Sequence, residues 1–388
     1  MVSDFRTVYM DYAATTPVDP RVVETMLAYL GPEGLFANPS SSHAQGRAAR
    51  EAVETARAEI ATVLNVAPET VVFTSGATEA DNLAIKGAAR ARVKRGRHIV
   101  TEKTAHKAVL DACKALEREG FEITWLVPDR DGLISADALA GALRDDTVLV
   151  SLLHANNETG VVQDVASLVR AVREAGDALF HLDAAQSAGK LAIDLAALDV
   201  DLAAFSAHKF YGPKGAGLLY VKKGVRLEPL QHGGGHERGL RAGTLATHQI
   251  AGLGHALALA AAGREPEMAR LAALRERLWQ GLSAAGDVFL NGHPTLRLPN
   301  ILNVSVAGVD GEALQLALRD IACSAGAACN AANREPSYVL RALGRDDALA
   351  GASLRFSLGR WSSEEDVDYV VRRFEREVAR LRELAGAA

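Results

Sequence analysis

Two residues carry the first chemical argument, Lys209 and Asp183. Lys209 stands in Ser206-Ala207-His208-Lys209-Phe210-Tyr211-Gly212-Pro213-Lys214-Gly215, directly after the apolar run 202–205. Gly212, Pro213 and Gly215 break any regular helix there. The lysine therefore lies on a constrained loop past a strand end, where α/β sheets place their ligands. A free lysine amine is protonated at neutral pH, with a reference pKa of about 10.4, and is a poor nucleophile. Burial beside a carbonyl partner makes it a Schiff-base lysine. Taken alone, a lysine in a Gly/Pro loop reads as a solvated surface group. Asp183 changes that weighing. It closes the apolar run Phe180-His181-Leu182 and is followed by Ala184-Ala185-Gln186-Ser187, which puts a carboxylate at a strand tip. An amine and a strand-end carboxylate are what pyridoxal phosphate (PLP) needs. The amine holds the aldehyde, and the carboxylate keeps the ring nitrogen protonated so that the ring accepts electrons. Ser206 and His208 flank the lysine as phosphate donors.

Other segments offer parts of such a site. The strand 71–74 turns through Ser75-Gly76-Ala77-Thr78 into a helix over 79–90. That unit aims backbone N–H groups and a positive dipole end at one point, a phosphate site; a simple helix cap is the rival reading. It lacks the Gly-Lys-Ser/Thr ending of a P-loop. His106 follows a strand tip, where an imidazole stacks on a ring or moves protons; capping the next helix is the alternative. Arg355 lies in the apolar strand Ser353-Leu354-Arg355-Phe356-Ser357 and needs a partner. A substrate carboxylate gripped bidentately is one, a structural ion pair the other. His232 and His236 flank three glycines, which disfavours a helical zinc site. Of three cysteines, Cys113 falls among helical residues and reads as a buried hydrophobe. Cys323 reads as packed. Cys329 sits in a loop of small and polar residues, where a thiol is exposed and reactive.

These stretches together resemble the cysteine desulfurases of the NifS/IscS type, within the class V aminotransferase group of fold-type I PLP enzymes. The matching motifs are Asp11-Tyr12-Ala13-Ala14-Thr15-Thr16-Pro17, Thr74-Ser75-Gly76-Ala77-Thr78-Glu79, Asn156-Asn157-Glu158-Thr159-Gly160, residues 183–187, 206–215 and 232–244, Ala328-Cys329, and Glu335-Pro336-Ser337-Tyr338. They run nearly end to end. The resemblance implies a homodimer that converts L-cysteine to L-alanine. It makes Lys209, His106 and Cys329 catalytic, with Cys329 carrying a persulfide. It assigns the cofactor to Ala77, Thr78, Asn157, Asp183, Gln186, Ser206, His208 and Lys209, with Thr244 reaching the phosphate of the partner subunit. Arg355 and Asn157 hold the substrate. A sulfur-acceptor or iron–sulfur scaffold protein is the implied partner. No resident metal is expected, the one open contact being Cys329 toward a nascent iron–sulfur cluster. The chain departs from the family pattern at Ala327, where a serine is usual, and at Thr104-Ala105-His106, which lacks the acidic residue often found before that histidine. Within PLP enzymes the rivals are an aminotransferase and a selenocysteine lyase. Outside enzymes the rival is a PLP-binding regulator.

The elements that must position these residues read as α/β. Seven apolar strands are expected at 71–74, 98–101, 122–126, 147–152, 178–182, 201–205 and 217–221, most joined by helices such as 107–119, 136–143 and 165–175. That pattern predicts a mainly parallel sheet covered on both faces. Ser41 or Ser42 is the expected cap of a helix over 44–64. One long helix over 260–285 is read as the domain boundary. The large domain then spans 16–260, and a smaller α/β domain takes 1–15 and 261–388, including the Cys329 loop. With 388 residues, 48% of them hydrophobic, the chain is long enough for two cores. A net charge of -5, with both signs interspersed, gives no nucleic-acid or anionic-membrane footprint. Few cysteines, no signal-peptide pattern and no membrane-length apolar run point to a cytoplasmic enzyme.

Overall fold

The computed structural model describes residues 7–325 and 335–386. Its main sheet has seven strands: Val71–Thr74, His98–Glu102, Glu122–Leu126, Thr147–Leu153, Leu179–Asp183, Leu202–Ser206 and Gly217–Val221. Named by first residue, they lie across the sheet in the order 71, 217, 202, 179, 147, 98, 122. Gly217–Val221 runs antiparallel to both neighbours and every other pairing is parallel. The reason is local. Only a short 3₁₀ turn, Ala207–Lys209, and a loop separate 206 from 217, and a parallel return needs a crossover of a dozen residues or more.

The fold class is the expected α/β fold with a seven-stranded, mainly parallel sheet. Successive strand residues feed opposite faces. Phe180 and Leu182 join Ile60, Phe205 and Leu253 in one apolar layer, while Leu179 joins Leu83, Leu116 and Leu219 in the other. The strands at 98, 147, 179 and 202 all point the same way, so Glu102, Leu153, Asp183 and Ser206 come to one edge. Thr74 arrives there too, paired with Gly217, which is itself paired with Ser206. Gly217 has to be glycine, since a Cβ on it would stand 2.5 Å from Gly76 Cα.

A four-stranded antiparallel sheet is built from Val288–Leu290, Ile301–Val306, Ser353–Ser357 and Ser324–Ala325, and Val8–Tyr9 pairs with Ile321–Ala322. A third apolar core gathers Val8 and Met10 with residues between Leu271 and Val378. The long helix expected over 260–285 is two helices, Thr247–Ala262 and Arg264–Ser283. Gly263 sits between them with ψ near 3°, and Pro266 falls in the first turn of the second, where its missing N–H costs no hydrogen bond. The first helix packs closely on Ala44–Leu64: a Cβ on Gly254 would meet Ala56 Cα at 2.9 Å. That partner helix is capped by His43, whose side chain accepts from Gly46 N–H, and not by Ser41 or Ser42. Among the described residues no helix is long and apolar enough to cross a membrane.

Candidate active site

The loops at the shared strand edge enclose a cavity of about 580 Å³. Asp183 forms its floor, 4% exposed, with Oδ1 accepting from Ala185 N–H at 2.9 Å. Burial pushes this carboxyl above its usual range, while His106, the Ala185 N–H and Lys209 pull it back. Lys209 ends the Ala207–Lys209 turn and lines the same cavity. Its Nζ donates to the carbonyls of Ala13 at 2.7 Å and Ala14 at 2.9 Å. Thr16 holds that N-terminal turn in place: its N–H and hydroxyl both bond the His208 carbonyl.

The expected phosphate end is also present. Ala77 and Thr78 open the Ala77–Ala91 helix, and its N-cap, Gly76, supplies no side-chain cap. The first-turn N–H groups therefore remain for a ligand. Ser206 Oγ lies 3.5 Å from where a Cβ on Gly76 would stand. Nδ1 of His208 is 3.1 Å from Thr15 Oγ1. Burial, followed by the charges of Lys209, Lys214 and Lys190, pushes His208 down to about 4, so it is neutral at pH 7. Glu79 sits in the same first turn, but it accepts from Ser75 N–H at 2.6 Å and pairs with Arg241 at 2.9 Å.

The two amides face the cavity differently. Gln186 donates Nε2 to Ala13 O at 2.9 Å. Its Oε1 and Asn157 Oδ1 are buried without a hydrogen-bond partner among the described residues. His106 Nδ1 caps the Lys107–Arg118 helix by accepting from Ala108 N–H at 3.2 Å, and the residue lines the cavity. Arg355 is 3% exposed. Its guanidinium donates to Asp11 Oδ1 at 2.8 Å, Ser324 Oγ at 3.0 Å and Asn157 O at 2.8 Å, and Nε is buried without a hydrogen-bond partner among the described residues. The structural ion pair is thus present at the cavity wall.

Two of the expected site residues are not among the described residues that line the cavity. Thr244 is exposed and is not among the residues lining this cavity. Cys329 lies outside the described residues. Of the other thiols, Cys113 is buried, and Cys323 is half-buried as a residue with its sulfur inside; burial pushes each up to about 12.

A site with this donor set fits PLP. It offers an amine, a buried carboxylate whose missing counter-charge a ring N–H would supply, uncapped first-turn N–H groups, and unpaired amide atoms. The aminotransferase class-V family matches residues 8–370. This chain belongs to the class-V aminotransferase family. It is 55% identical over 381 residues to the cysteine desulfurase IscS of Salmonella paratyphi B, covering 97% of this chain and 94% of that one. A solved NifS-like protein superposes with a TM-score of 0.91 at 38% identity, covering 97% of this chain and 100% of that one. The structure of SspA in complex with cysteine superposes at 0.82 with 39% identity, covering 92% and 100%. The cofactor of this class-V chain is PLP, as the lysine–aspartate pair implied.

Sequence reasoning missed two carboxyls, one that lines the cavity and one that holds Arg355 at its wall. Asp11 stands within one of the motifs, but nothing in the sequence pairs it with Arg355, since the contact joins residues 344 apart. Asp81 is 1% exposed and lines the cavity. Neither of its oxygens has a hydrogen-bond partner among the described residues, and His181 Nε2 lies 3.5 Å away. Burial first and Asp183 second push it well above the usual carboxylate range, and His181 is pushed down to about 3 by burial. Burial thus disfavours the charged form of each partner in this short contact. A signal was available: Ala77, Ala80, Asp81, Ala84 and Ala88 share one helix face.

Proposed function

We propose that the protein is a PLP-dependent cysteine desulfurase that takes sulfur from L-cysteine, leaves L-alanine, and passes the sulfur to an acceptor. The observation that carries this reading is the convergence of Lys209, Asp183 and Arg355 on one cavity. Bound there, the cofactor supplies an electron sink. Asp183 holds the proton on the ring nitrogen. Ala77, Thr78, Ser206 and His208 hold the phosphate, with Thr244 from a partner subunit. Asn157 and Gln186 bond the phenolic oxygen. Arg355 receives the substrate carboxylate, with Asn157 beside it.

Lys209 holds the cofactor until cysteine arrives and then accepts the substrate α-proton. His106, at the cavity wall, moves a proton at the reacting carbon or sulfur. The Cys329 thiolate attacks the substrate sulfur. The new S–S bond forms as the substrate C–S bond breaks, its electron pair passes to the β-carbon side, and protonation there gives alanine. Cys329 is left as a persulfide for an iron–sulfur scaffold or another thiolation acceptor, and it is the one thiol that would meet a nascent cluster. The protein works as a cytoplasmic homodimer.

The test is to incubate the holoenzyme with L-cysteine, with and without dithiothreitol, and to quantify alanine, sulfide and keto acid. Alanine equal to the sulfur released supports the reading. A keto acid in place of alanine would make the protein an aminotransferase, and no turnover would leave a PLP-binding regulator.

A further inference from the structure

Lys190 is a buried lysine that the chemistry above does not use. It is 9% exposed, in the segment that follows the Asp183 strand. Its Nζ donates to the carbonyl of Gln186 at 2.8 Å and to the carbonyl of Lys209 at 3.2 Å. The first carbonyl belongs to the turn after Asp183. The second belongs to the lysine at the cavity. One amine therefore spans the two segments whose spacing sets the site.

Its surroundings are specific. Behind the cavity, Lys190 and Lys209 share a small void with Tyr211, Glu267 and Arg360. Glu267 comes from the Arg264–Ser283 helix and is already engaged by Arg360 at 3.0 Å. The Lys190 amine is pushed down to about 7, first by burial and then by the charge of Lys209, while Glu267 pulls it up. Lys190 also contributes to pushing His208 down. A buried amine with two carbonyl acceptors and a cationic neighbour is not simple packing: an apolar side chain would leave both carbonyls unbonded.

We propose that Lys190 is a positioning residue for Lys209, tying its backbone to the Gln186 turn that follows Asp183 and so fixing the cofactor-holding lysine relative to that carboxyl. A change in that spacing alters the field Asp183 sets at the nitrogen Lys209 contributes, and so moves its titration. This rests on reading Lys209 as the cofactor lysine.

The experiment uses the holoenzyme and its visible absorbance, without turnover. Borohydride reduction and peptide mapping first locate the cofactor lysine in the wild type; an adduct on another lysine would overturn the Lys209 reading by itself. Absorbance is then titrated against pH for wild type, Lys190→Met, Lys190→Gln and Lys190→Arg, with thermal unfolding as the fold check. Lys190→Met, which leaves both carbonyls without their donor, should move the spectral midpoint by about one pH unit. Lys190→Gln, whose N–H donors sit on a shorter side chain, should move it less and serves if Lys190→Met does not fold. Lys190→Arg, which keeps the reach and the donors, should stay near the wild-type midpoint. A midpoint unmoved in whichever of Lys190→Met and Lys190→Gln folds, or moved alike in all three variants, would overturn the proposal.

Discussion

Arg355 Nη2 donates to Asp11 Oδ1 at 2.8 Å, and its Nη1 donates to the Asn157 carbonyl at 2.8 Å. One guanidinium thus joins the N-terminal segment, the Ser353–Ser357 strand and the loop beside the main sheet. If it also receives the substrate carboxylate, its loss acts on substrate binding and spares the cofactor. Arg355→Ala should raise the KM for cysteine roughly ten- to a hundredfold, the worth of a charge-assisted hydrogen bond, while the cofactor absorbance stays unchanged. Steady-state kinetics with a cofactor assay decides it. An unchanged KM would leave Arg355 with the Asp11 ion pair as its whole role.

Glu158 joins two segments in a similar way. It is 5% exposed, and its carboxylate accepts from Ser337 Oγ at 2.5 Å, where Ser337 caps the Tyr338–Ala342 helix. Burial pushes Glu158 up to about 7 from 4.5, against the opposing pulls of Ser337, Arg355 and His106. The folded state therefore holds a proton that the unfolded state has already released between those two values. This contribution is fully present below the unfolded pKa and is lost as pH rises through the folded one. Glu158→Gln keeps an acceptor and cannot ionise. Its stability relative to wild type should rise from pH 4.5 to 8, measured by urea unfolding at several pH values. A constant difference would refute the assignment.

Much of this architecture was legible because the central strands are buried on both faces. Thr147–Leu153 is buried at every position, and such a strand reads as one apolar run. Lys209 and Asp183 were legible because each follows such a run. The helix Thr247–Ala262 was not, since it carries apolar residues on all sides and so shows no helical period. Val8–Tyr9 and Ser324–Ala325 are two residues each, too short for any alternation. Lys190 left no trace either, because both its acceptors are backbone carbonyls and any residue type supplies those. Asp11 was visible as a motif member, but its pairing with Arg355 is purely tertiary.

The cysteines separate by environment. Cys113 and Cys323 hold thiols that burial keeps protonated, and a protonated thiol is a poor nucleophile. Cys113→Ser and Cys323→Ser should form alanine at close to the wild-type rate, whereas Cys329→Ser should form no protein persulfide and little alanine. The spectral change on adding cysteine should survive in all three. Loss of alanine formation in Cys323→Ser, with the fold intact, would move the nucleophile to Cys323.

The last prediction concerns a second subunit. Thr244 is exposed and absent from the cavity lining of its own chain, whereas Arg241, three residues before it, pairs with Glu79 in the first turn of the Ala77–Ala91 helix at 2.9 Å. The segment therefore starts near the phosphate end of its own site and presents Thr244 outward. If Thr244 serves the partner's phosphate, each site takes Lys209 from one chain and Thr244 from the other. A Lys209→Ala chain alone cannot hold the cofactor covalently, and a Thr244→Ala chain alone holds it weakly. Co-expressed with different tags and purified as heterodimers, they should restore one intact site, because the Thr244→Ala chain supplies Lys209 and the Lys209→Ala chain supplies Thr244. The second site in the same heterodimer carries both defects and stays dead. Cofactor content and alanine formation should both recover toward half of wild type. If Thr244 acted within its own chain, both sites of the heterodimer would be defective and neither measure would recover.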